Sequence, residues 1–484
     1  MLRKGHQTCI FFKSKAIKAE PSQRTTCEMV GWKPRVKHKR SIAKTRKSSE
    51  KTSKSCFFFM TLEEIVSYRN LEQACQQVSL NKGVGGVDEM QTDELRDFLL
   101  TNYTELSKQI LEERYVPQAV KKVEMPKPDG GKRMLGIPTV IDRMVQQAIS
   151  QRLSQVYELG FSEHSYGFRP KRNAHLAVQQ AQKFLDEGYT FVVELDLEKF
   201  FDTVNHDRLI SVLGWKIKDQ RVLRLIRKYL RSGIMEDGIV SQRTEGTPQG
   251  SPLSPLLSNI ILDELDKELE NRGHKFVRYA DDVSIYKKSN KSAERILKSI
   301  TDYIEQKLLL RVNRTKSKIS RPTGSKLLGF SFYKIKARWR IRVAKASISR
   351  LKLKLKSISN RNNGKNFKTK LQELKPVIIG WVSYFRLADA QGVMKELDGM
   401  LRTRLRMGLW KEWKNCKTRV RNLRKLGIGK QKSYEWGNTS RGYCRVAHSP
   451  ILCRSLDNDY FRSQGYAGFW DTYERKTKLP IPFS

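Results

Sequence analysis

Residues that staple or anchor a fold are scarce in this chain. Its seven cysteines, Cys9, Cys27, Cys56, Cys75, Cys416, Cys444 and Cys453, include no Cys-x-x-Cys pair, and their number is odd. That excludes a zinc ribbon, a disulfide framework and a dithiol redox centre, and it fits a reducing cytoplasm. No apolar run approaches the ~18–20 residues of a membrane span, and the N-terminus lacks a secretory apolar core, so no membrane partner is expected. Histidines are few. His164, His175 and His206 lie in polar or turn-like stretches, where a hydrogen-bonded structural role is expected rather than metal ligation. Acidic residues are outnumbered, 50 Asp and Glu against 94 Lys and Arg, a net charge of +44. So large a surplus points to a polyanionic partner, and nucleic acid fits it best.

At 484 residues the chain exceeds one core, so three or four units are expected. Residues 1–59 carry 16 Lys and Arg against Glu20, Glu28 and Glu50 and have no sustained apolar period. They read as a basic, disordered extension: a nucleic-acid-binding arm, a transit-like peptide or, favoured over these, sequence upstream of a functional start at Met60. From Thr61 an amphipathic pattern (Leu62, Ile65, Val66, Leu71, Ala74) predicts a helix leading to a glycine loop, Gly83–Asp88. A second helix is expected from a Thr92 cap, with Asp93 and Glu94 in its first turn. The stretch Val123–Arg133 reads as a β-hairpin turning at Asp129-Gly130. Strand and helix patterns then alternate to about residue 335, and beyond it the chain reads as basic and almost wholly helical. Leu351–Lys356 alternates like a strand, but Leu and Lys are good helix formers and its neighbours are helical, so it is assigned to a helix.

The chemistry is concentrated in three carboxylates. Arg278-Tyr279-Ala280-Asp281-Asp282 places two adjacent carboxylates between strand-like stretches, Lys275–Tyr279 and Val283–Tyr286. Neighbours on a strand point to opposite faces, so the pair converges only at a hairpin tip. Asp196 ends the β-rich run Thr190–Leu195. At the end of a neighbouring strand it would complete a site for two divalent cations, roughly 3.5–4 Å apart, suited to phosphoryl transfer. Gly246–Pro255 is a small-residue loop before a helix, which lets backbone approach a nucleotide or base pair. Lys127 and Arg133 flank the hairpin turn as charge-assisted donors for a triphosphate. Phe201, five positions after Asp196, offers a ring to the sugar of an incoming nucleotide.

In this order and spacing the segments resemble a reverse transcriptase of the group II intron-encoded type. The resemblance covers roughly residues 60–484. Its blocks are Gly83–Asp88, Gly130–Gln147, Tyr166–Pro170, Asp196–Asp202, Gln249–Asn259, Tyr279–Asp282, Leu310–Ser317 and Leu328–Phe332. It implies that Asp196, Asp281 and Asp282 are catalytic and hold two Mg²⁺ ions, and that Lys127 and Arg133 hold the triphosphate. It further places Gln249 beside the nucleotide, sets Phe201 to exclude a 2′-hydroxyl, and gives Lys316 a part in pyrophosphate departure.

Gly380-Trp381-Val382-Ser383-Tyr384-Phe385 is similar to the signature of a maturase (thumb or X) domain. A helix follows with Leu401, Leu405, Leu409 and Trp413 on one stripe, and Arg402 and Arg406 on another. Trp381, Tyr384, Arg402 and Arg406 are therefore expected to face RNA. The tail resembles the DNA-binding region of short members. Longer members add an HNH endonuclease with paired Cys-x-x-Cys, and no such ligands stand here, so no bottom-strand cleavage is expected.

The expected fold class is α+β: a right-hand polymerase with an antiparallel sheet in fingers and palm, an all-α thumb/maturase domain, and a small basic DNA-binding region. The expected divisions are 1–59, 60–125 (fingers extension), 126–335 (fingers and palm), 336–425 (thumb/maturase) and 426–484 (DNA-binding). The resemblance implies an RNA-directed DNA polymerase that binds group II intron RNA, assists splicing and supports mobility by target-primed reverse transcription. Its partners would be intron RNA, an RNA template with a DNA primer, target DNA and deoxynucleoside triphosphates, in a bacterial cytoplasmic ribonucleoprotein. Two other classes compete. A non-catalytic RNA-binding splicing factor needs the basic helices but not three intact carboxylates. A retron, diversity-generating or defence reverse transcriptase lacks the maturase-like segment around Trp381.

Overall fold

The computed structural model describes residues 60–126, 131–236, 239–241, 245–247 and 250–478. The basic extension 1–59, the turn residues Lys127–Gly130 and Gln249 lie outside the described residues, as do the side chains of Lys132 and Arg133. Among the described residues no helix is long and apolar enough to cross a membrane.

The strands are β1 (Val120–Pro126), β2 (Lys132–Ile137), β3 (Phe191–Leu195), β4 (Ile234–Glu236), β5 (Ile239–Ser241), β6 (Lys275–Tyr279), β7 (Asp282–Lys287), β8 (Lys318–Ser320), β9 (Phe330–Ile335) and β10 (Arg338–Val343). They form one sheet in the order β2-β1-β4-β5, a second in the order β6-β7-β3-β8, and a β9–β10 hairpin. The second sheet is antiparallel throughout. In the first, β1 and β4 run parallel, where an antiparallel arrangement was expected. The reason is topological: the whole stretch from β2 to Ser232 separates the two strands, and so long a crossover allows a parallel return.

Both faces of the second sheet are covered. Val193, Leu195, Phe276, Val283 and Ile285 join one apolar core with the N-terminal helices, while Val192, Val277 and Tyr286 join another with the C-terminal helices. The alternation follows the two-residue period of a strand, which fixes the register: a one-residue slip would exchange every side chain between the cores.

Local departures from the sequence reading have local causes. The first predicted helix is two, Leu62–Val66 and Tyr68–Leu80, broken where Ser67 turns extended at ψ 138°. Thr61 caps the first by accepting from Glu64 N. The next helix begins at Leu95 rather than after Thr92, whose carbonyl is taken by Ser79 Oγ at 2.9 Å. Lys345–Ile358 is helical through the alternating Leu-Lys run, as expected. The boundary placed at residue 335 cuts a hairpin, since β9 and β10 pair from Ile335↔Arg338 to Phe330↔Val343. Lys336, left-handed at φ 53°, makes that turn, and in β10 Arg alternates with Trp339, Ile341 and Val343, a strand period inside the stretch expected to be helical. Beyond it lie the long helices Phe367–Phe385 and Gln391–Glu412 and a series of shorter ones to Thr477.

Candidate active site

Tyr279 pairs with Asp282 across a two-residue turn, Ala280-Asp281, in which Ala280 takes a left-handed backbone at φ 57°. The adjacent carboxylates therefore stand at a hairpin tip, as the sequence required. Beside this hairpin, β3 pairs with β7 up to Leu195↔Val283, so the next residue, Asp196, lies abreast of Asp282. The backbone of Asp196 is held on both sides: its N–H donates to Ser317 Oγ at 3.1 Å, and its carbonyl accepts from Asn313 N at 2.8 Å. Lys316 brings its Nζ to 3.9 Å from Asp196 Oδ2.

Electrostatics explain what such a cluster wants. Asp282 is exposed at the tip, with protein packed around its base. Removal from bulk water there, then repulsion from Asp281, Asp196 and Glu194, pushes its pKa up to about 6, with Lys316 acting the other way. A cation would relieve that repulsion. Among the described residues no three His, Cys, Asp or Glu side chains close around a common point. The carboxylates stand side by side along neighbouring strand ends. An oxygen-only donor set of this kind suits a hard divalent cation.

The hairpin is braced from behind by a fully buried ion pair. Arg278 donates to Asp266 from Nε at 2.7 Å and from Nη2 at 2.5 Å, with both side chains at 0% exposure. Arg278 Nη1 also reaches the Ala280 carbonyl at 3.1 Å and Asn259 Oδ1 at 2.8 Å, and Asn259 Nδ2 donates to the Gly167 carbonyl at 2.8 Å. Burial pushes the Asp266 carboxyl upward in pKa, and Arg278 opposes this. Sequence reasoning missed this tripod. Its signal was present: a cation in an apolar strand and an aspartate in the apolar helix Ser254–Asn271 each demand a buried partner.

On the other flank, Phe201 is half-buried, packs against the first core and sets its ring 5.4 Å from Phe200. Its carbonyl accepts from Thr247 N at 2.6 Å. Gly246, left-handed at φ 85°, lies so close that a Cβ there would stand 2.8 Å from the Asp202 carbonyl oxygen. Gly250 makes the same approach to Gly136 in β2, with a Cβ 2.8 Å from its oxygen. Gly246 and Thr247 thus lie against the Phe201 turn, and Gly250 against the strand that carries Arg133. The glycine loop is docked as well: Arg143 donates to the Val84 carbonyl, and a Cβ on Gly86 would meet Thr139 N at 2.7 Å. His175 and His206 bond to the carbonyls of Tyr384 and Gly246, both at 2.6 Å, and the His164 ring packs on Phe184 and Phe276. These are the structural roles expected of them.

The proposed RNA face needs correction. Arg406 is 8% exposed; its Nε donates to the Leu456 carbonyl at 3.0 Å and its guanidinium lies over Phe461. Tyr384 is half-buried and donates its hydroxyl to the Leu328 carbonyl at 2.9 Å, while the Trp381 ring packs on Phe385 and Phe469. The C-terminal segment covers the second stripe of the helix, turning a face that looks open in one helix alone into an internal seam. Asp398 closes that seam, accepting from Tyr466 Oη, Phe469 N and Trp470 N, each at 2.8 Å. Arg402 remains at its edge, lining a cleft of about 210 Å³ with Lys395, Arg462 and Trp470.

Similarity to known proteins follows the same division. The family described as reverse transcriptase (RNA-dependent DNA polymerase) matches residues 125–332, and the group II intron, maturase-specific domain matches residues 348–427. Protein YkfC of Escherichia coli is 33% identical over 272 residues, 48% of this chain and 71% of that protein. Group II intron-encoded protein LtrA of Lactococcus lactis is 35% identical over 211 residues, 42% of this chain but only 35% of that protein. A chain of a partial Cas6-RT-Cas1–Cas2 complex is 25% identical and covers 51% of this chain and 42% of its own. Its TM-score of 0.32 is too low to bear on the fold.

Proposed function

The chain belongs to the family of group II intron-encoded reverse transcriptases with a maturase domain, and from that membership we propose that it copies RNA into DNA and binds its intron RNA to assist splicing and mobility. The observation that carries the polymerase reading is the alignment of Asp196 with the Asp281-Asp282 tip across paired strands β3 and β7. In this reading the sheet β6-β7-β3-β8 is the palm, the β1–β2 hairpin with the N-terminal helices forms the fingers, and the helices Phe367–Phe385 and Gln391–Glu412 form the thumb. The segment from residue 426 onward is the DNA-binding region, docked on the thumb.

Asp196, Asp281 and Asp282 would hold two Mg²⁺, which supply activation of a primer 3′-hydroxyl and charge neutralisation at the triphosphate. The protein's own part is positioning. Lys127 and Arg133 grip the triphosphate as donors, and Gln249 lies beside the nucleotide. The Phe201 ring, pinned at its carbonyl, presses on the sugar and rejects a 2′-hydroxyl. Lys316, within reach of Asp196, donates toward departing pyrophosphate. For the intron RNA backbone, the exposed Lys417, Arg421, Arg424 and Lys425 of the helix Cys416–Lys425 replace Arg406, with Arg402 at the cleft edge. The partners are intron RNA, a primed RNA template, target DNA and deoxynucleoside triphosphates, in a cytoplasmic ribonucleoprotein.

The test combines purified chain with precursor RNA of the intron from its own locus, Mg²⁺ and deoxynucleoside triphosphates. Splicing at lowered Mg²⁺ and cDNA from the 3′ exon are expected. Neither product, at protein concentrations that bind the RNA, would sink the reading.

A further inference from the structure

Among the described residues Phe168 is a large aromatic left more exposed than buried. It is 55% exposed, joins neither apolar core, and its backbone lies in the left-handed region at φ 56°. L residues avoid that region because Cβ crowds the backbone carbonyl. The chain is nonetheless pinned on both sides of it. Arg169, almost fully buried, donates to Glu158 Oε1 and to the Ser165 carbonyl, both at 2.9 Å. On the other side, the Gly167 carbonyl is held by Asn259, and a Cβ on Gly167 would stand 2.3 Å from Ala280 N.

The pinning sets the ring's place. Ser165 bridges Arg278 in parallel; Tyr166 N donates to the Arg278 carbonyl and Arg278 N to the His164 carbonyl, each at 2.9 Å. The segment is thus bridged at a single residue to the outer edge of β6. The chain then turns at Gly167, where a Cβ would also stand 3.0 Å from the Tyr279 carbonyl carbon, so this turn abuts the start of the Ala280-Asp281 tip. Phe168, the next residue, thus follows a turn seated against the carboxylate hairpin, on the flank away from β3 and Asp196. A left-handed backbone held by surrounding structure, a largely exposed ring and a turn seated on the carboxylate hairpin coincide at one residue.

We infer that Phe168 contacts the primer terminus, its ring packing against the sugar and base of the nucleotide that bears the 3′-hydroxyl. The inference rests on the polymerase reading above. An aromatic face stacks on any base, so the contact serves a polymerase that must accept every primer sequence. The anchors at Gly167 and Arg169 hold the backbone in place before nucleic acid arrives, so little ordering is lost on binding.

The experiment uses the full chain with Phe168→Ala, Phe168→Gly and Phe168→Tyr, a labelled DNA primer on an RNA template, and Mg²⁺ at a salt concentration that weakens backbone contacts. Primer–template Kd should weaken about tenfold in the Ala and Gly variants, while KM for the incoming nucleotide at saturating primer–template stays unchanged. The Tyr variant should restore binding. Tm should hold in Phe168→Ala and hold or rise in Phe168→Gly, which relieves the left-handed backbone. A residue serving the fold alone would give the reverse, a lower Tm with primer affinity intact, and that result would overturn the inference. Wild-type protein that extends primers while the Ala and Gly variants bind normally would overturn this inference and leave the polymerase reading standing. Wild-type protein unable to extend any RNA-templated primer would overturn both.

Discussion

Three aspartates carry the proposed chemistry, and the same proposal gives its selectivity to the residues around them. Phe201 is half-buried, and its backbone is fastened through Thr247 to the loop that leads to Gln249. Phe201→Ala should therefore relax discrimination between deoxy- and ribonucleotides. The measure is the ratio of kcat/KM for a deoxy- over a ribonucleoside triphosphate, expected to fall by about 10-fold or more if the ring supplies a steric block. An unchanged ratio with polymerisation intact would return Phe201 to core packing. At this scale the sequence was legible where residue type and spacing carry the chemistry: Asp196, Asp281, Asp282 and Lys316 do come together. It was illegible where a role depends on what covers a side chain. Arg406 has the spacing of an exposed stripe, yet Leu456 and Phe461, some fifty residues on, enclose it.

Elements act here as supports for one turn. The β6–β7 hairpin is strained at Ala280 and depends on Arg278 behind it, itself neutralised by Asp266 from the helix Ser254–Asn271. Removing one member of a buried pair leaves the other charge uncompensated, which costs about 3–5 kcal/mol. Asp266→Ala should therefore lower unfolding free energy by about that amount in denaturant titration; a loss below about 1 kcal/mol would mean the pair is not the brace described. The seam between thumb and tail is a second case. Asp398→Ala strips three hydrogen bonds from Tyr466, Phe469 and Trp470, so amides in the helix Phe469–Thr477 should lose exchange protection while those of β3 and β7 keep theirs. Uniform loss across the molecule would show that tail and palm unfold as one unit. The elements themselves were mostly readable, because the strand period of two and the helical stripes report burial directly. What one sequence could not reveal was the partner of each element: the parallel β1–β4 pair, the β9–β10 hairpin across residue 335, and the tail lying on the helix Gln391–Glu412 all depend on distant chain.

In the whole molecule, a sheet with both faces buried separates two apolar cores and delivers its strand ends to the surface, where the carboxylates gather. The net charge of +44 supplies attraction to nucleic acid everywhere else, so binding and chemistry draw on different residues. That separation is the central claim, and one variant tests it directly. Asp281→Asn combined with Asp282→Asn removes two negative charges from the tip without disturbing Arg278, Ala280 or the hairpin backbone. Side by side, wild type and variant are assayed for RNA-templated primer extension and for intron RNA affinity. The account predicts that extension disappears while intron affinity and splicing assistance remain. Extension that survives the double substitution, or RNA affinity that collapses with it in a folded protein, would contradict the account.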